Sequence, residues 1–130
     1  MIYKATYSQV VMPDHINNLN TLFGGQMISW MDLAAAKVSF RFLKDSKALG
    51  AVTRAIDNVE FNQPVYAGEW VTINATIISV GDSSIKIEVE AFAEGPNSQY
   101  RLVCSAIITM VSIVEKSKGQ FVKFDHNKSI

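Results

Sequence analysis

The chain has 130 residues, 48% of them hydrophobic, with 12 basic and 12 acidic side chains and a single cysteine. That length fits one domain, long enough to bury roughly two-thirds of its unfolded surface and to fold without disulfides or metal. A formal charge of zero argues against nucleic acid as the main partner, and one cysteine, Cys104, excludes an internal disulfide framework and a cysteine-based zinc site.

Charged residues make up 18% of the chain, below the roughly 25% usual in soluble domains. Low charge density points to surface covered by other subunits. The N-terminus, Met1 to Ser8, carries no signal-peptide core, and the longest strongly apolar charge-free run, Leu102 to Val114, is too short to span a bilayer as a helix. The expectation is a cytoplasmic protein without membrane contact. Cys104 lies inside that apolar run and reads as a small buried hydrophobe.

Tyr3 to Val11 reads as a strand. Met12 to Thr21 holds Pro13, Asp14 and three Asn, which is turn chemistry. Phe23 to Lys44 reads as one long helix, with Met27, Met31, Ala34, Val38 and Phe42 at helical spacing. Trp30, Leu33 and Phe40 extend the apolar surface almost all round, the mark of a buried helix.

Four strands follow: Ala51 to Phe61, Trp70 to Val80, a cleanly alternating segment from Ile85 to Ala91, and Tyr100 to Val114. The turns between them are short, which predicts antiparallel hairpins. Lys116 to Ile130 reads as a polar C-terminal tail, leaving residues 1–115 as the single domain. The predicted class is α+β: an antiparallel sheet of five strands, or slightly more, wrapped around one central helix. A sheet covers one side of a helix, so the other apolar side predicts at least a dimer.

Two features within Asn17 to Asp32 point to chemistry. Gly24 and Gly25 open the helix, although each glycine costs about 1 kcal/mol relative to alanine inside a helix. The first helical turn carries unpaired N–H groups and the positive end of the dipole. Removing two Cβ atoms exposes those donors to a ligand oxygen, as an oxyanion or carbonyl-polarising site requires; close packing against the sheet is the other reading. Asp32 sits between Met31 and Leu33 in the apolar helix, with Ile28, Ser29, Ala35 and Ala36 as helical neighbours and no cation among them. It is either a general base or nucleophile in a small-residue cleft, or part of a solvated stripe.

Seven residues separate Gly25 from Asp32, roughly 10 Å along a helix. One substrate carbonyl cannot touch both within one subunit, so the pair predicts a composite site between two copies. His15 and His126 lack the neighbours a metal site needs, and no metal is expected. Arg54, Lys86, Arg101, Lys116 and Lys118 are scattered, mostly as solvated residues, with one or two available to a ligand phosphate.

The stretch Asn17 to Asp32 with its Phe-Gly-Gly core resembles the helix start of the hotdog-fold acyl-CoA thioester hydrolases. Val52-Thr53, Val59-Glu60-Phe61, Pro64-Val65, Gly68-Glu69, Gly81 to Ser84, Val89-Glu90 and Ser105 to Ser112 continue the likeness over roughly residues 10 to 114. The resemblance implies the hotdog fold, a homodimer with a continuous sheet, often three dimers in a hexamer, and hydrolysis of acyl-CoA to acid and coenzyme A without a cofactor. It implies that Asp32 activates water or attacks the thioester, that Asn17 from the other subunit positions water or carbonyl, and that N–H groups near Gly24 and Gly25 hold the thioester oxygen. Thr53, Arg54 and Ser84 are the expected substrate contacts. Asn20 stands where the family commonly has Gly, and Met110 where relatives often have an aromatic residue. The alternatives are a hotdog hydratase or dehydratase, for which His15 would be the only histidine candidate, and a non-catalytic acyl-CoA binding module.

Overall fold

The computed structural model describes residues 2–130. Strand β1 (Lys4–Val10) is followed by a single 3-10 turn (Pro13–His15) and by helix α1 (Gly24–Leu43). Strands β2 (Gly50–Phe61), β3 (Trp70–Val80), β4 (Ser84–Gly95), β5 (Ser98–Ser117) and β6 (Gln120–Lys123) complete the chain. The antiparallel sheet runs β1-β3-β4-β5-β2, with β6 also paired to β5.

Helix α1 follows from its apolar periodicity. Met27, Trp30, Met31, Ala34, Ala35, Val38 and Phe42 all face inward and are buried. They meet the inward rows of the sheet, where alternation leaves Ile73, Ile85, Ile87, Val89 and Ile108 fully covered. Truncating Phe42 or Ile108 to alanine in such a core costs about 2–5 kcal/mol.

Two expectations are corrected. β2 and β3 do not form a hairpin: β2 pairs with β5, and β3 with β1 and β4. The sheet curls around the helix, so residues 62–69 connect strands at separate places in it, passing the helix N-terminus on the way. Val65 is buried there and its carbonyl accepts the Leu22 N–H at 2.8 Å.

Residues 116–130 are not simply a tail. β5 outruns β4, and β6 pairs with its overhang from Ile113 to Ser117. Beyond β6, Phe124 N–H bonds to the Ser112 carbonyl, and His126 N–H to that of Asp82. The His126 ring is buried edge-on against Phe42. Polar composition concealed two aromatic anchors.

One face of α1 remains uncovered by its own sheet. Leu33 and Phe40 are 49% and 66% exposed there, in a helix whose opposite side is dry. β2, with Val52 and Phe61 exposed, is an edge strand whose outer N–H and C=O groups have no strand partner among the described residues. No helix is long and apolar enough to cross a membrane.

Candidate active site

The loop before α1 is organised by one side chain. Asn17 Oδ1 accepts the N–H groups of Leu19 (2.8 Å) and Thr21 (3.1 Å), and its Nδ2 donates to Thr21 Oγ1 at 2.9 Å. Such local side-chain to backbone bonding replaces helix or sheet at this point. Asn20 adopts φ 63°, a left-handed conformation that Asn tolerates, so the turn forms without a glycine at this position. With Oδ1 occupied twice and one Nδ2 hydrogen used, Asn17 retains one free N–H donor.

The loop delivers the chain to Gly24, where no side chain caps the helix. The two glycines differ. A Cβ at Gly24 would lie 3.2 Å from Phe61 Cζ, so its absence admits the Phe61 ring. A Cβ at Gly25 would meet nothing within 4 Å, so packing within this chain gives no reason for glycine there. Beside Gly24 lies a cavity of about 320 Å³ lined by Thr21, Leu22, Met27, Phe61, the 62–65 segment and Val103.

Asp32 lies on α1 where the helix faces β2. Its Oδ1 accepts the Thr53 hydroxyl at 2.6 Å, and Thr53 Oγ1 also lies 3.4 Å from Met110 Sδ. Oδ2 has no hydrogen-bond partner among the described residues. Asp32 is half-buried in this chain, and it does not line the Gly24 cavity. One chain therefore brings Asn17, Thr21 and Gly24 together at one end and Asp32 with Thr53 at another.

Arg54 is exposed at a bulge, where the β2–β5 register skips from Thr53 to Ala55. Ser84 shares a cross-strand row with Val111 and Val52, while Thr53 shares the next with Met110 and Ile85. Adjacent rows point to opposite faces, so Ser84 is directed away from Asp32. Its hydroxyl instead accepts the Gly81 N–H in the β3–β4 turn. His15 is engaged in the loop: Nδ1 accepts the Met12 N–H at 2.9 Å and the ring stands edge-on to Trp30. Cys104 is buried and desolvation pushes its thiol up to about 11, which leaves it unreactive.

Arg101, expected among the solvated basic residues, is instead bonded through both terminal nitrogens to buried Glu69, at 2.7 and 2.9 Å. Sequence reasoning missed this pair; 32 residues and two intervening strands separate its members. Among the described residues no three His, Cys, Asp or Glu side chains converge as a metal cluster.

The thioesterase superfamily model matches residues 19–99, more than half of the chain. The chain belongs to the thioesterase superfamily. An uncharacterized acyl-CoA thioester hydrolase of Buchnera aphidicola is 34% identical over 106 residues, 78% of this chain and 76% of that protein. Among solved structures, an acyl-CoA hydrolase from Bacillus cereus superposes with a TM-score of 0.78 at 26% identity, covering 93% of this chain and 71% of that one. A hexameric thioesterase from Yersinia pestis gives a TM-score of 0.78 at 26% identity, covering 92% and 93%. The superfamily's hotdog architecture is the sheet-around-helix arrangement described above.

Proposed function

We propose that this thioesterase hydrolyses acyl-CoA to the free acid and coenzyme A at sites built between two copies of the chain. Asp32 of one copy serves as general base, and Asn17 with the Gly24–Gly25 end of α1 comes from the other. The observation that carries this reading is the Thr53–Asp32 hydrogen bond, which fixes one carboxylate oxygen and leaves Oδ2 available. The names of the Buchnera and Bacillus relatives support the substrate class.

The chemistry follows from what each group can donate. Water donates a hydrogen bond to Asp32 Oδ2 and loses that proton as its oxygen attacks the thioester carbon. Negative charge develops on the carbonyl oxygen, which the N–H groups at Gly24 and Gly25 stabilise. The free Asn17 Nδ2–H orients the water or the carbonyl; with Oδ1 saturated, it cannot take up a proton. Collapse restores the C=O bond, breaks the C–S bond and releases coenzyme A thiolate, which takes the proton from Asp32.

The dimer supplies what a single chain lacks. The exposed Leu33 and Phe40 face of α1 and the open edge of β2 are adjacent, and a twofold partner would cover both. The Yersinia hexamer supports an assembly of several copies. The testing experiment is thiol release by Asp32→Ala across acetyl-, butyryl- and lauroyl-CoA. Loss of about 100-fold or more in kcat is expected, and a fully active variant removes Asp32 from the mechanism.

A further inference from the structure

Buried Glu69 and partly buried Arg101 form an ion pair outside the groups just assigned, and its bonds lead back toward them. The pair is doubly hydrogen-bonded, a geometry that fixes orientation as well as contact. Ser98 Oγ donates to Glu69 Oε2, and the Tyr66 N–H donates to Oε1 at 2.9 Å. Arg101 Nη2 also donates to the Pro64 carbonyl at 2.9 Å. Two side chains thus grip the 62–69 segment on both sides of Val65.

That segment in turn holds the helix entry. The Val65 carbonyl accepts the Leu22 N–H at 2.8 Å, and Tyr66 forms a bridge with Thr21. Thr21 is bonded to Asn17 by backbone and side chain, and Leu22 lies two residues before Gly24. The route Arg101–Glu69–Tyr66/Val65–Thr21/Leu22 is continuous: it runs through the largely covered side chains of Arg101 and Glu69 and then through backbone groups of Tyr66, Val65, Thr21 and Leu22. Glu69 is also tied to the residue that follows β1, since its carbonyl accepts the Val11 N–H at 2.9 Å. The clamp therefore has a fixed base from which to position the segment.

We propose that Arg101, acting through Glu69, is a positioning residue for hydrolysis: it sets the placement of Thr21 to Gly24, and so of the Asn17 donor and the glycine N–H groups. The proposal rests on the hydrolase reading above. It follows from geometry in which a misplacement of about 1 Å far from the chemistry can lower a rate about 100-fold.

The test compares wild type with Arg101→Lys and Ser98→Ala in two readouts, at a temperature where each is folded. Lysine keeps the charge but cannot reproduce the forked contact. The first readout is kcat and KM on butyryl-CoA; the second is amide hydrogen exchange at Leu22, with Ile87 as a control in the β4 core. For Arg101→Lys, kcat falls about tenfold to 100-fold, KM moves by less than about threefold, and exchange accelerates at Leu22 but not at Ile87. A merely structural role lowers the melting temperature and leaves kcat of the folded enzyme and Leu22 exchange unchanged, which overturns the proposal. A fall in kcat with Leu22 still protected also overturns it, because the effect then travels by another route. Should Arg101→Lys fail to fold, Ser98→Ala decides: it keeps the ion pair, and the proposal requires a smaller kcat loss with the same Leu22 signature. Absence of thiol release by the wild type from every acyl-CoA is a separate outcome; it removes the hydrolase reading and the positioning claim with it.

Discussion

The Thr53 hydroxyl on β2 donates a 2.6 Å hydrogen bond to Asp32 Oδ1 on α1, so the strand sets the direction of a carboxylate that the helix carries. Thr53→Val keeps the branched shape and removes the donor. The expected result is a fall of about tenfold to 50-fold in kcat with a melting temperature within a few degrees of wild type, because the bond lies near the surface. Thr53→Ser retains the donor and most of the activity. Steady-state kinetics beside thermal unfolding checks both.

Asn17 uses its oxygen and one Nδ2 hydrogen for the loop, and the proposed mechanism assigns the remaining Nδ2–H to the site. Asn17→Asp preserves the acceptor for the Leu19 and Thr21 N–H groups and replaces the free donor with a negatively charged acceptor. Folding is therefore expected to survive, while kcat drops about 100-fold or more. Near-wild-type turnover by a folded Asn17→Asp protein would contradict the role assigned to its Nδ2.

The glycine pair separates stability from activity. Gly25→Ala adds a methyl group where this chain leaves open space, and helix propensity makes it stabilising by up to about 1 kcal/mol. In the proposed mechanism the same methyl shields the N–H groups that hold the thioester oxygen, so activity is expected to fall as stability rises. Gly24→Ala is expected to displace the Phe61 ring instead, since its Cβ would lie 3.2 Å from Cζ. Paired melting and activity measurements distinguish these outcomes.

Much of this arrangement is legible in the residues alone. The 3.6-residue pattern from Met27 to Phe42 fixes α1 to within a residue at each end, and the Ile85–Ala91 alternation marks β4. Gly24, Gly25 and Asp32 stand out because each is locally unfavourable or unexplained where it occurs, whereas Asn17 in a turn-rich loop is picked out only by the family resemblance. Contacts between distant elements are not legible. Thr53 meets Asp32, and Glu69 meets Arg101, only after the sheet has curled, and no local spacing encodes either pair. For the same reason short connections suggested a β2–β3 hairpin: turn length limits which strands can pair, but the helix at the centre decides which do. The 116–130 segment reads as polar because Phe121, Val122 and Phe124 stand among Lys, Ser, Gln, Asp and Asn, and His126 itself counts as polar.

Glu69 makes the fold sensitive to acid. The Arg101 guanidinium lowers its carboxyl from 4.5 to about 2, against an opposing effect of burial, with help from Ser98 and the Tyr66 N–H. The folded state favours the ionised form, so this contribution is complete above pH about 4.5 and is lost as pH falls toward 2. Unfolding midpoints measured across that window should decline in the wild type. Glu69→Gln, less stable at neutral pH, should decline less steeply, and parallel curves would contradict the assignment.

If Asp32 acts as base, oxygen from heavy-oxygen water enters the released acid in a single turnover and the Asp32 carboxylate stays unlabelled. If it attacks the thioester, the label enters Asp32 when the mixed anhydride is hydrolysed at the protein carbonyl, and the first acid released contains an original carboxylate oxygen. Mass spectrometry of both products separates the two.

Mixing two inactive variants tests most directly whether active sites form between copies. Asp32→Ala and Asn17→Asp chains, refolded together, form mixed dimers in which one site receives Asn17 from the first chain and Asp32 from the second. Random pairing with independent sites predicts recovery of about a quarter of wild-type activity. A refolded mixture no more active than the average of its two parents would contradict a site shared between subunits.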